Sequence, residues 1–162
     1  MVNKKPLVYL SGPMAGLTYE EALNGWRRTA ADHLMNHGII GINPGRGKDH
    51  KLPKELRLAK QGYEHTLITS AKGITTRDLF DLKRSEFMLL NLTGAKAVGI
   101  GSMIEIGWAH AFNVPIILVM EKEGNIHEHC IVDTCAAVRT DSLDDALEYI
   151  VQCIELDCLY TY

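Results

Sequence analysis

The sequence lacks the markers of several large protein classes. No apolar run is long enough to cross a bilayer, and a net charge of -3 provides no overall attraction to nucleic acid or to a membrane surface. The lysines near the N-terminus precede a short apolar stretch that ends at Gly12-Pro13, which predicts a first strand rather than a signal peptide. These absences favour a cytoplasmic globular protein that binds neither nucleic acid nor membrane.

Cysteine is scarce and poorly spaced for a metal centre. No two of the cysteines form a Cys-x-x-Cys pair; they are Cys130, Cys135, Cys153 and Cys158. A zinc site that joins some of them to His127 and His129 is the alternative, but reduced thiols are expected in a chain without a signal peptide. We therefore predict neither a metal nor any other cofactor.

The common sequence motifs of nucleotide-binding proteins and serine hydrolases are also missing. After Gly99-x-Gly101, the third glycine position of a dinucleotide fingerprint is occupied by Ile104. The sequence has no Walker A lysine motif and no Gly-x-Ser-x-Gly elbow. The glycine-rich loop that begins at Gly99 therefore needs a different explanation.

The sequence does contain a regular alternation of strand and helix signals. Short apolar runs predict strands at 7–11, 39–43, 87–92, 114–120 and 136–139. Helices are expected from Thr18 to about His37, from Thr76 to about 86, from Ser102 onward, and over 142–157. Thr18 and Glu21 form a capping box at the start of the first helix.

This alternation predicts the fold class. Strands that are apolar throughout and alternate with helices form parallel sheets that are covered on both faces. We predict a single α/β domain over 1–162, flavodoxin- or Rossmann-like, with four or five parallel strands. The polar, lysine-rich segment over about 46–73 is expected to be an insertion with one short helix over 52–63.

Two glycine-bearing loops are expected to meet at one edge of this sheet. With flavodoxin-like strand order, ligands bind beyond the carboxyl ends of the strands, here between the first strand and the strand at Phe87. One loop there is Ser11-Gly12-Pro13-Met14, and the other spans 93–102 and leads to Glu105. A serine hydroxyl and a backbone exposed at a glycine both suit ligand binding.

The residues alone leave two interpretations of the acidic side chains open. Glu105 could complete a Ser-x-x-Glu capping box with Ser102, or it could be an ionised carboxylate at a cleft and so a nucleophile. Asp78 could be a second catalytic carboxylate or part of an exposed, charged helix face. Tyr9 could equally be a packing residue of the first strand.

Three stretches together resemble the nucleoside 2-deoxyribosyltransferase superfamily, which includes the 2'-deoxynucleoside 5'-phosphate N-hydrolases. They are YLSGPMAG, RDLFDLKRSEFMLLNL and GIGSMIEIGWAHAFNVPIILV, and the short phage and bacterial members are the most similar. The resemblance covers residues 8–119 apart from the insertion. It implies cleavage or transfer at the N-glycosidic bond of (deoxy)nucleosides or their 5'-monophosphates through a covalent glycosyl-glutamate intermediate. It also implies a homo-oligomer with sites completed across subunits.

The same resemblance assigns roles to individual residues. Glu105 corresponds to the nucleophile, Asp78 to the residue that assists the base, and Tyr9 to the tyrosine that orients the nucleophile. The substrate pocket would be lined by Ser11, Gly12, Pro13, Met14, Gly99, Gly101 and Ser102. Asn125 and His129, together with His127, are the matches for residues that a neighbouring subunit contributes, and a solvent-exposed loop is the alternative.

Gly99 stands where the 5'-phosphate hydrolases have a serine, so a phosphate would depend on the backbone N–H groups of 99–102.

Two other functions stay open from the sequence. The stretch GIGSMIE is also similar to the loop of cytokinin-type nucleoside-monophosphate phosphoribohydrolases, but it lacks their doubled glycine and upstream arginine motif. A binding domain that senses nucleotides without turnover is the third interpretation.

Overall fold

The computed structural model describes residues 4–46, 58 and 66–160, with only the backbone for 158–160. Five strands form one parallel sheet in the order β2-β1-β3-β4-β5. They are β1 (Leu7–Ser11), β2 (Ile40–Ile42), β3 (Phe87–Asn91), β4 (Ile116–Val119) and β5 (Val138–Thr140). The predicted flavodoxin-like α/β fold is confirmed, and the strand order reverses between β1 and β3 as expected.

Helices cover both faces of this sheet. They are α1 (Tyr19–Asn24), α2 (Trp26–Asn36), α3 (Ala71–Lys83), α4 (Ile100–Ala111), α5 (Cys130–Cys135) and α6 (Leu143–Tyr160), and a 3-10 turn spans Leu67–Thr69. In the described parts of the chain, no helix combines the length and the apolar character that a membrane crossing requires.

Alternation along β1 divides the core into two layers. Tyr9 lies in the cluster that includes Leu82 and Ile106, from α3 and α4, whereas Leu10 lies in the cluster that includes Leu34 and Ile150, from α2 and α6. Successive side chains of a strand point to opposite faces of the sheet. One face of β1 therefore meets α4, and the other meets α2.

The first predicted helix is two helices. The capping box of Thr18 and Glu21 is present, but α1 ends at Asn24 and α2 begins at Trp26. Gly25 separates them with a non-helical ψ of -132°, and a Cβ on Gly25 would lie 2.6 Å from the carbonyl oxygen of Glu21. The break therefore depends on the small size of this glycine.

Other helix boundaries also differ from the prediction. α3 begins at Ala71 rather than Thr76, because the Ser70 hydroxyl caps it by accepting from the N–H of Gly73. α4 begins at Ile100, with Gly99 as its N-cap, so Ser102 lies inside the helix instead of capping it. The short helix α5 was not expected from its polar flanks.

The insertion contacts the body of the fold at Leu58. The short helix predicted over 52–63 lies outside the described residues apart from this leucine. Leu58 is buried among Tyr19, Ala22 and Leu23, and its N–H donates to the carbonyl of Leu17 at 2.8 Å. Backbone hydrogen bonds of Leu58 therefore join the insertion to the loop that follows β1.

We expect two glycine substitutions to change stability in opposite directions. Gly25→Ala should lower the free energy of unfolding by about 1–3 kcal/mol, because the new methyl group meets the backbone of α1. Gly107→Ala is the matched control in α4, where the new Cβ meets nothing within 4 Å, and it should raise stability by about 0.5–1 kcal/mol. Urea unfolding of both variants measures the changes, and equal effects would contradict the assignment of the helix break.

Candidate active site

The carboxylate of Glu105 points from α4 to the end of β1. It accepts hydrogen bonds from the Tyr9 hydroxyl at 2.7 Å and from the Ser11 hydroxyl at 2.5 Å. Tyr9 and Ser11 are two residues apart in a strand, so both side chains lie on the face of the sheet that meets α4. The capping-box interpretation of Glu105 is wrong, because Gly99 is the N-cap and no side chain caps the helix.

Burial and hydrogen bonding oppose each other at Glu105. Burial raises the pKa of this carboxyl and the charge of Asp78 adds to the rise, whereas the Ser11 and Tyr9 hydroxyls and the Arg27 charge lower it; the net pKa is above the ordinary value of 4.5. Burial and the nearby Glu105 raise the pKa of Tyr9 well above 10, so Tyr9 stays a neutral donor. The hydroxyls of β1, rather than the helix N-terminus, are the direct partners of the carboxylate.

Asp78 is buried on α3 and is not part of an exposed helix face. Its side chain pairs with the Arg77 guanidinium at 3.2 Å, and Arg77 also donates to the carbonyls of Pro44 and Arg46 just after β2. Because its charge acts on both Glu105 and Tyr9, Asp78 belongs to the same electrostatic cluster. The structure thus brings together the three residues that the sequence singled out for catalysis.

The two glycine-bearing loops meet at the predicted edge of the sheet. A Cβ on Gly99 would lie 3.3 Å from the Ser102 hydroxyl and 3.5 Å from Cγ of Pro13. A Cβ on Gly12 would lie only 2.5 Å from the carbonyl oxygen of Asn91, so no larger residue fits between β1 and β3 there. Gly101 faces open space, whereas Met14 packs against the cluster around Leu58.

The loop before α5 is held by its own side chains. Asn125 is buried and donates to the carbonyl of Leu92 at 2.9 Å and to the carboxylate of Glu121 at 2.6 Å. Nε2 of His127 accepts from the N–H of Gly99 at 3.2 Å, and burial lowers the pKa of this imidazole. His129 caps α5 by accepting from the N–H of Ile131. Of these three side chains, that of His127 therefore contacts the glycine-rich loop.

Sequence reasoning missed Arg27. Its side chain is fully buried and lies beneath the end of β1, where it donates to the carbonyls of Leu10 and Gly12. A signal was present in the sequence, because Arg27 shares the apolar face of α2 with Ala30 and Leu34 at helical spacing. A cation on an apolar helix face needs either a partner or a function.

Comparison with known proteins agrees with this geometry. A family model described as nucleoside 2-deoxyribosyltransferase matches residues 8–148. The chain belongs to the nucleoside 2-deoxyribosyltransferase family. It is thus an enzyme that transfers or cleaves at the N-glycosidic bond of nucleosides, which confirms this part of the first function inferred from its sequence; the covalent glutamate intermediate stays a prediction. No match is found among curated proteins.

Solved structures share the fold at low sequence identity. A 2-deoxyribosyltransferase from Bacillus psychrosaccharolyticus has a TM-score of 0.64 and 14% identity, covering 87% of this chain and 90% of that one. A 2-deoxyribosyltransferase from Leishmania mexicana has a TM-score of 0.61 and 14% identity, covering 91% and 97%. The CMP N-glycosidase BcmB from Clostridium botulinum has a TM-score of 0.51 and 19% identity, covering 89% and 97%.

The raised pKa of Glu105 predicts a pH-dependent stability difference. Because the folded pKa exceeds the unfolded value, the contribution of Glu105 to stability is fully present below about pH 4.5 and is lost as pH rises through the folded pKa. Glu105→Gln removes this ionisation. We therefore expect the melting temperature of the variant, relative to that of the wild type, to increase between pH 4 and pH 8. Each pH unit by which the folded pKa exceeds the unfolded one corresponds to about 1.4 kcal/mol in the free energy of unfolding.

Glu123→Gln is the matched control, since Glu123 is an exposed glutamate in the loop before α5. Thermal melts of the three proteins at several pH values give the comparison. A difference between Glu105→Gln and wild type that stays constant with pH would show that burial does not penalise the carboxylate.

Proposed function

We propose that Glu105 is the nucleophile that attacks the anomeric carbon of a (deoxy)nucleoside or of its 5'-monophosphate. The observation that carries the proposal is the carboxylate of α4 held by two hydroxyls of β1, at the edge of the sheet where the strand order reverses. Membership of the family supports the reaction type. Asp78 supplies the second carboxyl group that such a reaction needs.

The reaction has two steps that parallel those of retaining glycosidases. In the first, a carboxylate oxygen of Glu105 bonds to C1' while the C1'–N bond breaks. Asp78, a carboxylate paired with Arg77 in the free protein, takes up a proton when the substrate binds and gives it to the departing base. In the second, water or another base attacks C1', the ester bond to Glu105 breaks, and Asp78 takes back a proton. Water gives hydrolysis, and a second base gives transfer.

Tyr9 and Ser11 direct the nucleophile. Each hydroxyl binds a different oxygen of Glu105, so the pair fixes the plane of the carboxylate. A fixed orientation lowers the activation free energy substantially, because the entropy of aligning the reacting atoms is lost before the reaction begins. The same two donors stabilise the ester oxygens of the glycosyl intermediate.

The substrate pocket is proposed to lie in front of Glu105, beside the point where Pro13 and Gly99 meet. Ser102 is buried behind Gly99, and Gly101 opens onto free space. Since the N–H of Gly99 already donates to His127, a 5'-phosphate would depend on the next N–H groups of α4. Deoxynucleosides and their 5'-monophosphates therefore both belong in the assay.

An apolar surface beside the site supports a homo-oligomer. Ile100 and Ile104 lie one turn apart on α4 and are 75% and 47% exposed. Ile126 and Ile131 are also exposed and line a cavity of about 430 Å³ between α4 and α5. Apolar patches of this kind commonly mark interfaces, so we propose that a second copy of the chain covers this surface.

We also propose that the protein works in the cytoplasm. The three cysteines whose side chains are described, Cys130, Cys135 and Cys153, are all free thiols. Free thiols are usual in reducing compartments.

In the described ranges, no group of three or more His, Cys, Asp or Glu side chains is placed to hold a metal ion.

We expect Glu105→Gln to lower the rate of base release by at least about 1,000-fold, because the amide cannot attack C1'. Asp78→Asn should lower the rate by about 100- to 10,000-fold, with the largest loss for bases that leave poorly. Chromatography of deoxynucleosides and their monophosphates incubated with each protein measures free base, and an added second base separates transfer from hydrolysis.

Glu123→Gln serves as the exposed control and should keep wild-type turnover. Retained activity in Glu105→Gln would end the proposal for the nucleophile. Wild-type protein that is stabilised by these compounds but releases no base would instead support the sensing domain.

Charge placed on the apolar surface should disrupt assembly. We expect the double variant Ile100→Glu, Ile104→Glu to sediment as a monomer, because burying two carboxylates in an interface is costly. Leu156→Glu on α6, at a residue that is 51% exposed, is the control and should leave the mass unchanged. Wild-type protein that is monomeric at micromolar concentration would contradict the proposed oligomer.

A further inference from the structure

The edge of β1 that faces β2 has no strand partner beyond Tyr9, since β2 ends at Ile42. The N–H of Ile40 in β2 donates to the carbonyl of Pro6 at 2.9 Å. Parallel strands repeat this contact every two residues, so a longer β2 would set residue 44 opposite the carbonyl of Leu10. That residue is Pro44, which has no N–H to donate.

Arg27 supplies the missing donor and two more. Its Nε donates to the carbonyl of Leu10 at 3.2 Å, and its Nη2 donates to that of Gly12 at 2.6 Å. Its Nη1 donates to the carbonyl of Ala22 in α1 at 2.9 Å. One guanidinium therefore joins the end of β1, the loop that follows it and α1. Arg27 lies in the first turn of α2, which begins just after the helix break at Gly25.

The charge of Arg27 is buried without a carboxylate in direct contact. The residue is 0% exposed, and no ion pair of Arg27 occurs among the described residues. Its guanidinium lies 4.6 Å from the centre of the Trp26 ring. Burial lowers the pKa of Arg27 to about 10, partly offset by the charge of Glu105, so it remains a cation at neutral pH.

A buried cation is costly, and neutral donors could satisfy three carbonyls at lower cost. The charge therefore needs a reason beyond hydrogen bonding. Glu105 is the acidic residue whose charge acts on Arg27, and the interaction is mutual, since Arg27 also lowers the pKa of Glu105. Tyr9 and Ser11 lie on the strand between the two groups.

We propose that Arg27 is a positioning residue of the reaction: it fixes the backbone of Leu10 and Gly12, so that Ser11 meets Glu105, and it supplies the positive charge that balances the nucleophile. This inference rests on the proposed role of Glu105. Arg27 acts from the opposite face of the sheet through the backbone and through the electric field, and it does not contact the substrate.

Two substitutions separate the backbone contacts from the charge. Arg27→Lys keeps a cation but cannot reach three carbonyls at once, so kcat should fall by about 10- to 100-fold while the acidic limb of the pH profile stays in place. Arg27→Met removes the charge, so the acidic limb should also move up by about one pH unit or more. Arg28→Met is the matched control, since Arg28 is exposed and pairs with Asp32 on the same helix; it should behave like wild type.

A titration tests the charge independently of turnover. The Glu105 carboxyl can be followed by carbon NMR, with Glu105→Gln used to assign its signal. We expect its midpoint to rise by about one pH unit in Arg27→Met and to stay near the wild-type value in Arg27→Lys and Arg28→Met. If Arg27→Met does not fold, Arg27→Lys alone decides the positioning role through kcat.

The outcomes distinguish this inference from the proposed function. An Arg27→Lys variant with wild-type kcat, or a Glu105 midpoint that is the same in Arg27→Met and wild type, would overturn the role of Arg27. Wild-type protein that releases no base from any substrate would overturn the proposed function, while the titration would still report whether Arg27 faces Glu105.

Discussion

The structure of the site depends on the contact between β1 and α4, where two hydroxyls of a strand hold one carboxylate of a helix. Tyr9 and Ser11 lie on β1, which pairs with β2 on one side and with β3 on the other, and Glu105 lies more than one turn inside α4. Neither element could shift without breaking the contact. The packing that forms the core therefore also sets the geometry of the acidic group.

Around this contact the protein keeps an unusual concentration of charge in a partly buried place. The charges of Asp78 and Arg27 both act on Glu105, and Tyr9 lies among them as a neutral donor. Burying such groups opposes folding, because each ion loses its hydration. Sites of this kind are where stability is given up for reactivity, and the apolar strands on both sides of β1 supply the compensating burial.

Local sequence signals predicted most of the fold and singled out Glu105 and Asp78, which the structure places in one electrostatic cluster; their catalytic roles stay predictions. Apolar runs identified all five strands, and the loops at their carboxyl ends led to Glu105. The helix break at Gly25 was missed, because the sequence does not show that the carbonyl oxygen of Glu21 lies too close to Gly25 for a larger residue to fit there. Arg27 was missed for a related reason: its partners are main-chain carbonyls, which carry no side-chain pattern to detect. The link between His127 and Gly99 likewise joins residues far apart in the chain.

The alternation along β1 has a consequence for how this protein can evolve. Tyr9 and Ser11 carry their hydroxyls toward α4, and the even-numbered residues of the strand carry apolar groups toward α2. Loss or gain of one residue inside the strand would exchange the two sets. Apolar side chains would then face the pocket, and hydroxyl groups would be buried in the core on the opposite face. Insertions and deletions must therefore accumulate outside β1. A mutation that keeps Tyr9 and Ser11 on the face of the sheet that meets α4 also keeps their hydroxyls directed at Glu105.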